Sequence, residues 1–231
     1  MSHDIHDELR RFALFSNLRE PALEALAAHC RTQSFDTGAL VLHHNEDSTD
    51  LCLVLEGSVR VVVYSSGGKS VVFRDIHEGD VFGEFAALDH GPRSANVIAA
   101  SPTRLARIPS SRFRKLVHDH PEVLDALLVH FTTLVRRYSQ RIVELSTLSV
   151  EDRIRVEIQR LAYEHAVSAN EARISPAPTL EDIASRIGTT REAVSREIAR
   201  LSREAVVARE HGDLVIRDLG RLNEMVDALF P

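Results

Sequence analysis

Between Gly79 and Val97 the chain reads GDVFGEFAALDHGPRSANV, a stretch whose residue types suit the holding of an anion. A glycine ahead of a short helical turn lets backbone N–H groups approach a negative charge, Arg93 offers a charge-assisted fork, and Ser94 adds a hydroxyl donor. Glu84, nine residues before Arg93, is suited to accept from a sugar hydroxyl. Arg93 is the only arginine or lysine between Arg74 and Arg104. Each feature alone is ordinary turn chemistry or surface charge; the reading rests on their joint spacing.

A second constellation lies near the C-terminus. From Arg186 to Arg209 there are six arginines against three glutamates, in a chain whose formal net charge is −6. Arg191, Ser195 and Arg196 fall within a turn and a half of one helix N-terminus, where a helix in the DNA major groove reaches base edges. An arginine fork can take guanine O6 and N7, and a glutamate can accept from cytosine N4. Arg200 and Arg203 have a plainer alternative, pairing with Glu197 or Glu204 on a solvated face. Glu192 has one too, closing a capping box on Thr189.

These groups need elements to position them. A chain of 231 residues favours two domains, and 44% hydrophobic with 27% charged residues is a globular composition. Residues 7 to 30 read as two helices, with Pro21 opening the second. From 33 to 108 short β-branched runs (40–42, 51–55, 58–64, 71–73, 97–99) alternate with turn glycines, Gly38, Gly57, Gly67-Gly68 and Gly79, predicting an antiparallel barrel or sandwich. A long helical pattern follows Pro109. Within it Leu124, Leu128, Phe131, Val135, Tyr138, Ile142 and Leu145 step alternately by four and three, a 3.5-residue repeat that suits a partner helix over roughly 30 Å. The alternative is packing on the chain's own barrel. Ser149 with Asp152 starts a new helix reaching about Ala169. Thr179 starts a short helix ending at Ile187, Gly188 makes the turn, and Thr189 with Glu192 opens a helix to about Glu204, so the pair is a helix-turn-helix. Val206–Ala208 and Leu214–Ile216 form a hairpin wing.

The run Phe82-Gly83-Glu84 with Pro92-Arg93-Ser94-Ala95 resembles the phosphate-binding cassette of cyclic-nucleotide-binding domains. With the helical seam and the winged helix-turn-helix, the whole chain resembles the CRP/FNR family of bacterial transcription regulators, in its cyclic-nucleotide-responsive branch. The resemblance implies an α+β fold: a double-stranded β-roll (jelly roll) with N-terminal helices over 1–109, a dimerisation helix over 110–148, and a DNA-binding winged helix-turn-helix over 149–231. It implies that Glu84 holds the ribose 2′-hydroxyl while Arg93 and Ser94 hold the cyclic phosphate, within a ligand site of Phe82, Gly83, Glu84, Arg93, Ser94 and Ala95. It also places the nucleobase against the dimer helix, where gapless alignment sets Tyr138-Ser139 at a Thr-Ser pair that reads adenine. The effector implied is cAMP, with cGMP as the alternative because Tyr138 departs from the pattern. Arg191-Glu192-Ala193-Val194-Ser195-Arg196 is similar to the family's recognition motif for a TGTGA-like half-site, within a DNA surface of Thr189, Thr190, Arg191, Glu192, Ser195, Arg196 and Arg200. The partners implied are a second copy of the chain, double-stranded DNA and RNA polymerase.

Other classes fit less well. No activated-serine elbow, His-Glu-x-x-His pattern or phosphate-binding Walker loop is present, which speaks against an enzyme. Cys30 and Cys52 lie in apolar stretches and read as buried thiols, while His43-His44, His118-Asp119-His120 and His77 read as structural or surface residues rather than metal or haem ligands. The expectation is a cytoplasmic protein with no resident cofactor or metal and no membrane span. Two rivals keep part of the reading: a nucleotide-binding module that regulates a protein partner, and a transcription regulator that has dropped the nucleotide.

Overall fold

The computed structural model describes residues 2–64, 70–165 and 167–230, with the side chains of 2–4 and 70 left aside. The Gly67-Gly68 turn expected from the sequence lies outside the described residues. The chain falls into two compact units, Met1–Arg136 and Arg137–Pro231.

The first unit opens with α1 (Ser2–Leu9) and α2 (Glu20–Ala27), the latter carrying Pro21 in its first turn. Eight strands follow: β1 (Arg31–Phe35), β2 (Leu40–Leu42), β3 (Leu51–Glu56), β4 (Ser58–Tyr64), β5 (Ser70–His77), β6 (Val81–Phe82), β7 (Asn96–Ala99) and β8 (Thr103–Ile108). They form two antiparallel four-stranded sheets, ordered β1-β8-β3-β6 and β2-β7-β4-β5. Both faces of β3 are covered, so it is apolar from Leu51 to Leu55. Cys52, Val54 and Leu105 join Val59, Ile76 and Val97 in the core of the roll, while Leu51, Leu53, Ala106 and Ile108 pack with Phe12 and Phe15 from the turns between α1 and α2 and with Leu23 and Phe113 from helices. The strands β1, β6 and β8 have no clear pattern of their own. β1 is mostly exposed and exists through its pairing with β8.

Between β6 and β7 sits α3 (Glu84–Asp89). After the roll, the helical pattern is interrupted at His120, in an extended conformation (φ −128°, ψ 95°) just ahead of Pro121. This gives α4 (Ser110–Asp119) and the 27-residue α5 (Pro121–Thr147) in place of one continuous helix, because the residue before a proline is pushed out of the helical region. On α5 Val123, Leu127 and Leu134 are buried. The adjacent row of Leu124, Leu128, Val135, Ile142 and Leu145 is exposed, with Leu128 at 55%, Val135 at 62% and Ile142 at 64%. Two seam positions differ: Phe131 stacks on Phe85 of its own chain, and Tyr138 is half-buried.

The second unit holds the end of α5, then α6 (Val150–Glu164), β9 (Ala172–Ile174), α7 (Leu180–Ile187), α8 (Arg191–Arg203), β10 (Val207–Glu210), β11 (Asp213–Ile216) and α9 (Leu219–Asp227). Ser149 caps α6, accepting from the Asp152 amide at 3.2 Å. That helix ends at Glu164, short of the expected Ala169, where His165 Nδ1 turns back onto the Leu161 carbonyl at 2.9 Å. Thr179 and Asp182 form a full capping box on α7. The expected box on α8 is corrected by one residue: Thr190, not Thr189, is the cap, and its hydroxyl accepts from Ala193 N–H at 3.4 Å. The wing turns through His211 (φ 53°) and Gly212 (φ 93°), both left-handed, as a two-residue hairpin between Glu210 and Asp213 requires. Ile154, Ile158, Ile183, Ile187, Val194, Ile198, Leu201, Leu214 and Leu222 form the core of this unit.

Candidate functional site

The cassette starts where β6 ends. Gly83 stands at φ +79°, the left-handed region glycine enters without strain, and swings the chain into α3. Arg93 also packs directly over it: a Cβ at residue 83 would lie 2.5 Å from Arg93 Nη1. Gly83→Ala is therefore expected to lower stability by about 1–3 kcal/mol, the usual cost of a strained left-handed residue, measurable as a fall in the urea midpoint.

Arg93 reaches inward. The loop bearing it pairs with residues 45–46 through Asn45 N–H to the Arg93 carbonyl (2.9 Å) and Arg93 N–H to the Glu46 carbonyl (3.1 Å). The residue is only 3% exposed. Its Nε donates to Ser48 Oγ (3.0 Å), Nη1 to the Gly83 carbonyl (3.1 Å) and Nη2 to the Asp50 carbonyl (2.8 Å). All three acceptors are neutral oxygens, and no carboxylate lies within ion-pair distance among the described residues. Burial holds the guanidinium below its ordinary pKa, with Glu46 and Asp50 partly offsetting this from further away. A guanidinium has five N–H donors, so two remain for an anion. The loop of residues 43–50, which supplies Ser48, Asp50 and Glu46, was not legible as part of the site; its run of polar residues looks like any surface loop.

Glu84 is also 3% exposed. Its Oε1 lies 3.3 Å from His130 Nε2 and 3.6 Å from Arg74 Nη2. Phe82 is buried in the core of the roll, Ser94 is exposed, and Ala95 is half-buried. The structure thus brings Phe82, Gly83, Glu84, Arg93, Ser94 and Ala95 onto one turn-helix-loop segment and adds Arg74 and His130, which sequence reasoning missed. Tyr138 and Ser139 lie on α5 in the second unit, half-buried and exposed respectively. The two thiols are neutral near pH 7, since burial pushes Cys30 up to about 12 and Cys52 up to about 11.

On α8 the buried stripe of Val194, Ile198 and Leu201 turns Arg191, Glu192, Ser195 and Arg196 outward. Arg155 Nε on α6 donates to buried Glu197 at 2.7 Å and anchors the helix from behind. Arg191 and Arg196 have no carboxylate within ion-pair distance among the described residues. Arg200 differs, its Nε lying 3.3 Å from Glu197 and 3.6 Å from Glu204. Glu192 bonds its own backbone N–H and the Thr190 hydroxyl, which hold its carboxyl below the usual range. Thr189 is half-buried and Thr190 exposed.

Residues 32–120 match the model of the cyclic nucleotide-binding domain, and residues 152–225 match that of the Crp-like helix-turn-helix domain. The cAMP-activated global transcriptional regulator CRP of Pasteurella multocida is 27% identical over 198 residues, covering 85% of this chain and 94% of that protein. TTHA1359, a CRP/FNR family transcriptional regulator from Thermus thermophilus, is 26% identical with a TM-score of 0.70, covering 85% of this chain and 98% of its own. The chain belongs to the CRP/FNR family. The fold is shared with the c-di-GMP responsive global regulator CLP from Xanthomonas campestris, which has a TM-score of 0.74 at 20% identity, covering 85% of this chain and 98% of its own. In this CRP/FNR protein the β-roll carries the cyclic nucleotide-binding domain, and the segment from α6 to α9 carries the Crp-like helix-turn-helix domain. No helix among the described residues is long and apolar enough to cross a membrane.

Proposed function

We propose that this CRP/FNR protein is a homodimeric, ligand-gated transcription regulator that binds a cyclic purine nucleotide, with cAMP favoured, and then a palindromic DNA site. The observation that carries the reading is buried Arg93, whose two spare N–H donors and neutral partners suit a cyclic phosphate. In this reading Glu84 accepts from the ribose 2′-hydroxyl, Ser94 adds a phosphate donor, and Phe82, Gly83 and Ala95 shape the segment around them. The cAMP-activated relatives support adenine, while Tyr138 beside Ser139 favours cGMP as the second reading, because a ring there alters which purine edge is read. The regions act as a nucleotide-binding roll (1–109), a dimerisation helix (110–148) and a DNA-binding unit (149–231). The protein is a cytoplasmic regulator rather than an enzyme, with RNA polymerase as a further partner.

On DNA, α8 enters the major groove and Arg191, Glu192 and Arg196 read a TGTGA-like half-site, with Thr189, Thr190, Ser195 and Arg200 beside them. Arg191→Ala is expected to weaken binding to the palindrome by about 1–3 kcal/mol per half-site and relax selectivity there, while leaving nucleotide affinity nearly unchanged. Fluorescence anisotropy of palindromic and scrambled duplexes at fixed salt, with and without saturating cAMP or cGMP, tests the whole reading. Tight binding confined to palindrome plus nucleotide is expected; equal affinities in all conditions would refute it.

A further inference from the structure

We infer that Arg74 and His130 are positioning residues of the nucleotide site, holding one oxygen of Glu84 so that the other stays free for a sugar hydroxyl. This rests on the nucleotide reading above and adds two residues to it. On β5 Ile76 lies in the core of the roll, and Arg74, two residues before it in an unbroken register with β4, shares its face by the two-residue alternation of a strand. An arginine at such a position needs a partner, and its Nη2 finds Glu84 Oε1 at 3.6 Å and the Val81 carbonyl at 3.5 Å. From α5, His130 Nε2 meets the same Oε1 at 3.3 Å.

Both contacts converge on Oε1, and Oε2 accepts no hydrogen bond among the described residues. A carboxylate held at one oxygen by donors from two elements cannot rotate freely, so its second oxygen keeps a fixed direction. That oxygen suits a neutral hydroxyl donor and repels an anion. The reach of His130 is itself fixed, because the next residue, Phe131, stacks on Phe85 of α3 with ring centroids 6.0 Å apart and planes 18° from parallel. Two consecutive residues of α5 thus grip α3, one by packing and one through the acceptor that the ligand would use.

The test uses the full chain and calorimetric titration with cAMP, cGMP and the 2′-deoxy form of whichever binds more tightly. The parent is expected to prefer the ribonucleotide. His130→Leu should weaken ribonucleotide binding about tenfold, roughly the loss of one charge-assisted hydrogen bond, while 2′-deoxynucleotide affinity stays within about twofold. His130→Gln, whose amide can still donate to Oε1, should recover most of the loss, and Arg74→Gln should follow the His130→Leu pattern. Equal losses for both nucleotides would show a merely structural role, and no loss, or a parent indifferent to the 2′-hydroxyl, would overturn the positioning role. A folded parent that binds no cyclic nucleotide would instead overturn the underlying nucleotide reading, and this inference with it.

Discussion

Arg93→Ala is expected to remove measurable nucleotide binding, with affinity falling by about 2–5 kcal/mol, thirtyfold or more. The magnitude follows from burial. The guanidinium is 3% exposed and held by Ser48, Gly83 and Asp50, so a bound phosphate would meet a fixed fork in a partly desolvated setting. The same bonds predict a second effect. The Asp50 carbonyl loses its N–H donor, which costs about 1–3 kcal/mol if it stays buried, while the Gly83 carbonyl keeps the Ala87 N–H at 3.2 Å, so the unfolding midpoint should also drop. Unfolding should remain cooperative, because the cores built on Phe12, Phe113, Leu105 and Ile76 do not depend on Arg93. Arg93→Lys keeps the charge without the fork and should retain part of the affinity. A variant alanine protein that stays folded and binds within threefold of the parent would remove Arg93 from the site.

Val135→Glu should convert the proposed dimer to monomer at micromolar concentration. Val135 stands in the middle of the exposed row from Leu124 to Leu145 on α5, and such a row at 3.5-residue spacing is covered when a second copy lays its own helix against it. Two-fold symmetry then brings both copies of residue 135 into the seam, so a glutamate there buries two like charges at about 3–5 kcal/mol for each left unpaired. Val135→Leu, which keeps the apolar surface, should leave assembly intact. Analytical ultracentrifugation reads the outcome, and a monomeric parent would overturn the assignment. Loss of the dimer should also abolish tight binding to the palindrome, since two half-sites about one helical turn apart, roughly 34 Å, require two recognition helices.

Much of this protein is written in local signals. Helix starts at Ser149 and Thr179 were readable because a hydroxyl followed three residues later by an acid satisfies free amides within one turn. The wing was readable from two β-branched runs around a glycine turn, and the exposed row of α5 from its spacing. Where two candidate caps stood side by side, as at Thr189-Thr190, the pattern chose the wrong one, because composition does not say which hydroxyl faces the helix. The weak strands β1, β6, β8 and β9 were missed for a related reason: they are short or polar and are stabilised by neighbours far away in the chain.

The site divides in the same way. Glu84, Arg93 and the exposed arginines of α8 could be picked out from the sequence alone, since each lies in a contiguous motif whose turn residues and charges are informative without tertiary context. Only the tertiary structure decided what surrounds them. Ser48 and Asp50 reach Arg93 from another loop, Arg74 and His130 reach Glu84 from a strand and a helix, and Arg200 is drawn toward Glu197 and Glu204 while Arg191 and Arg196 stay open. The physical reason is one of range: capping, turn formation and amphipathic spacing act over a few residues, whereas desolvation and the pairing of a buried charge depend on which distant segments close over it.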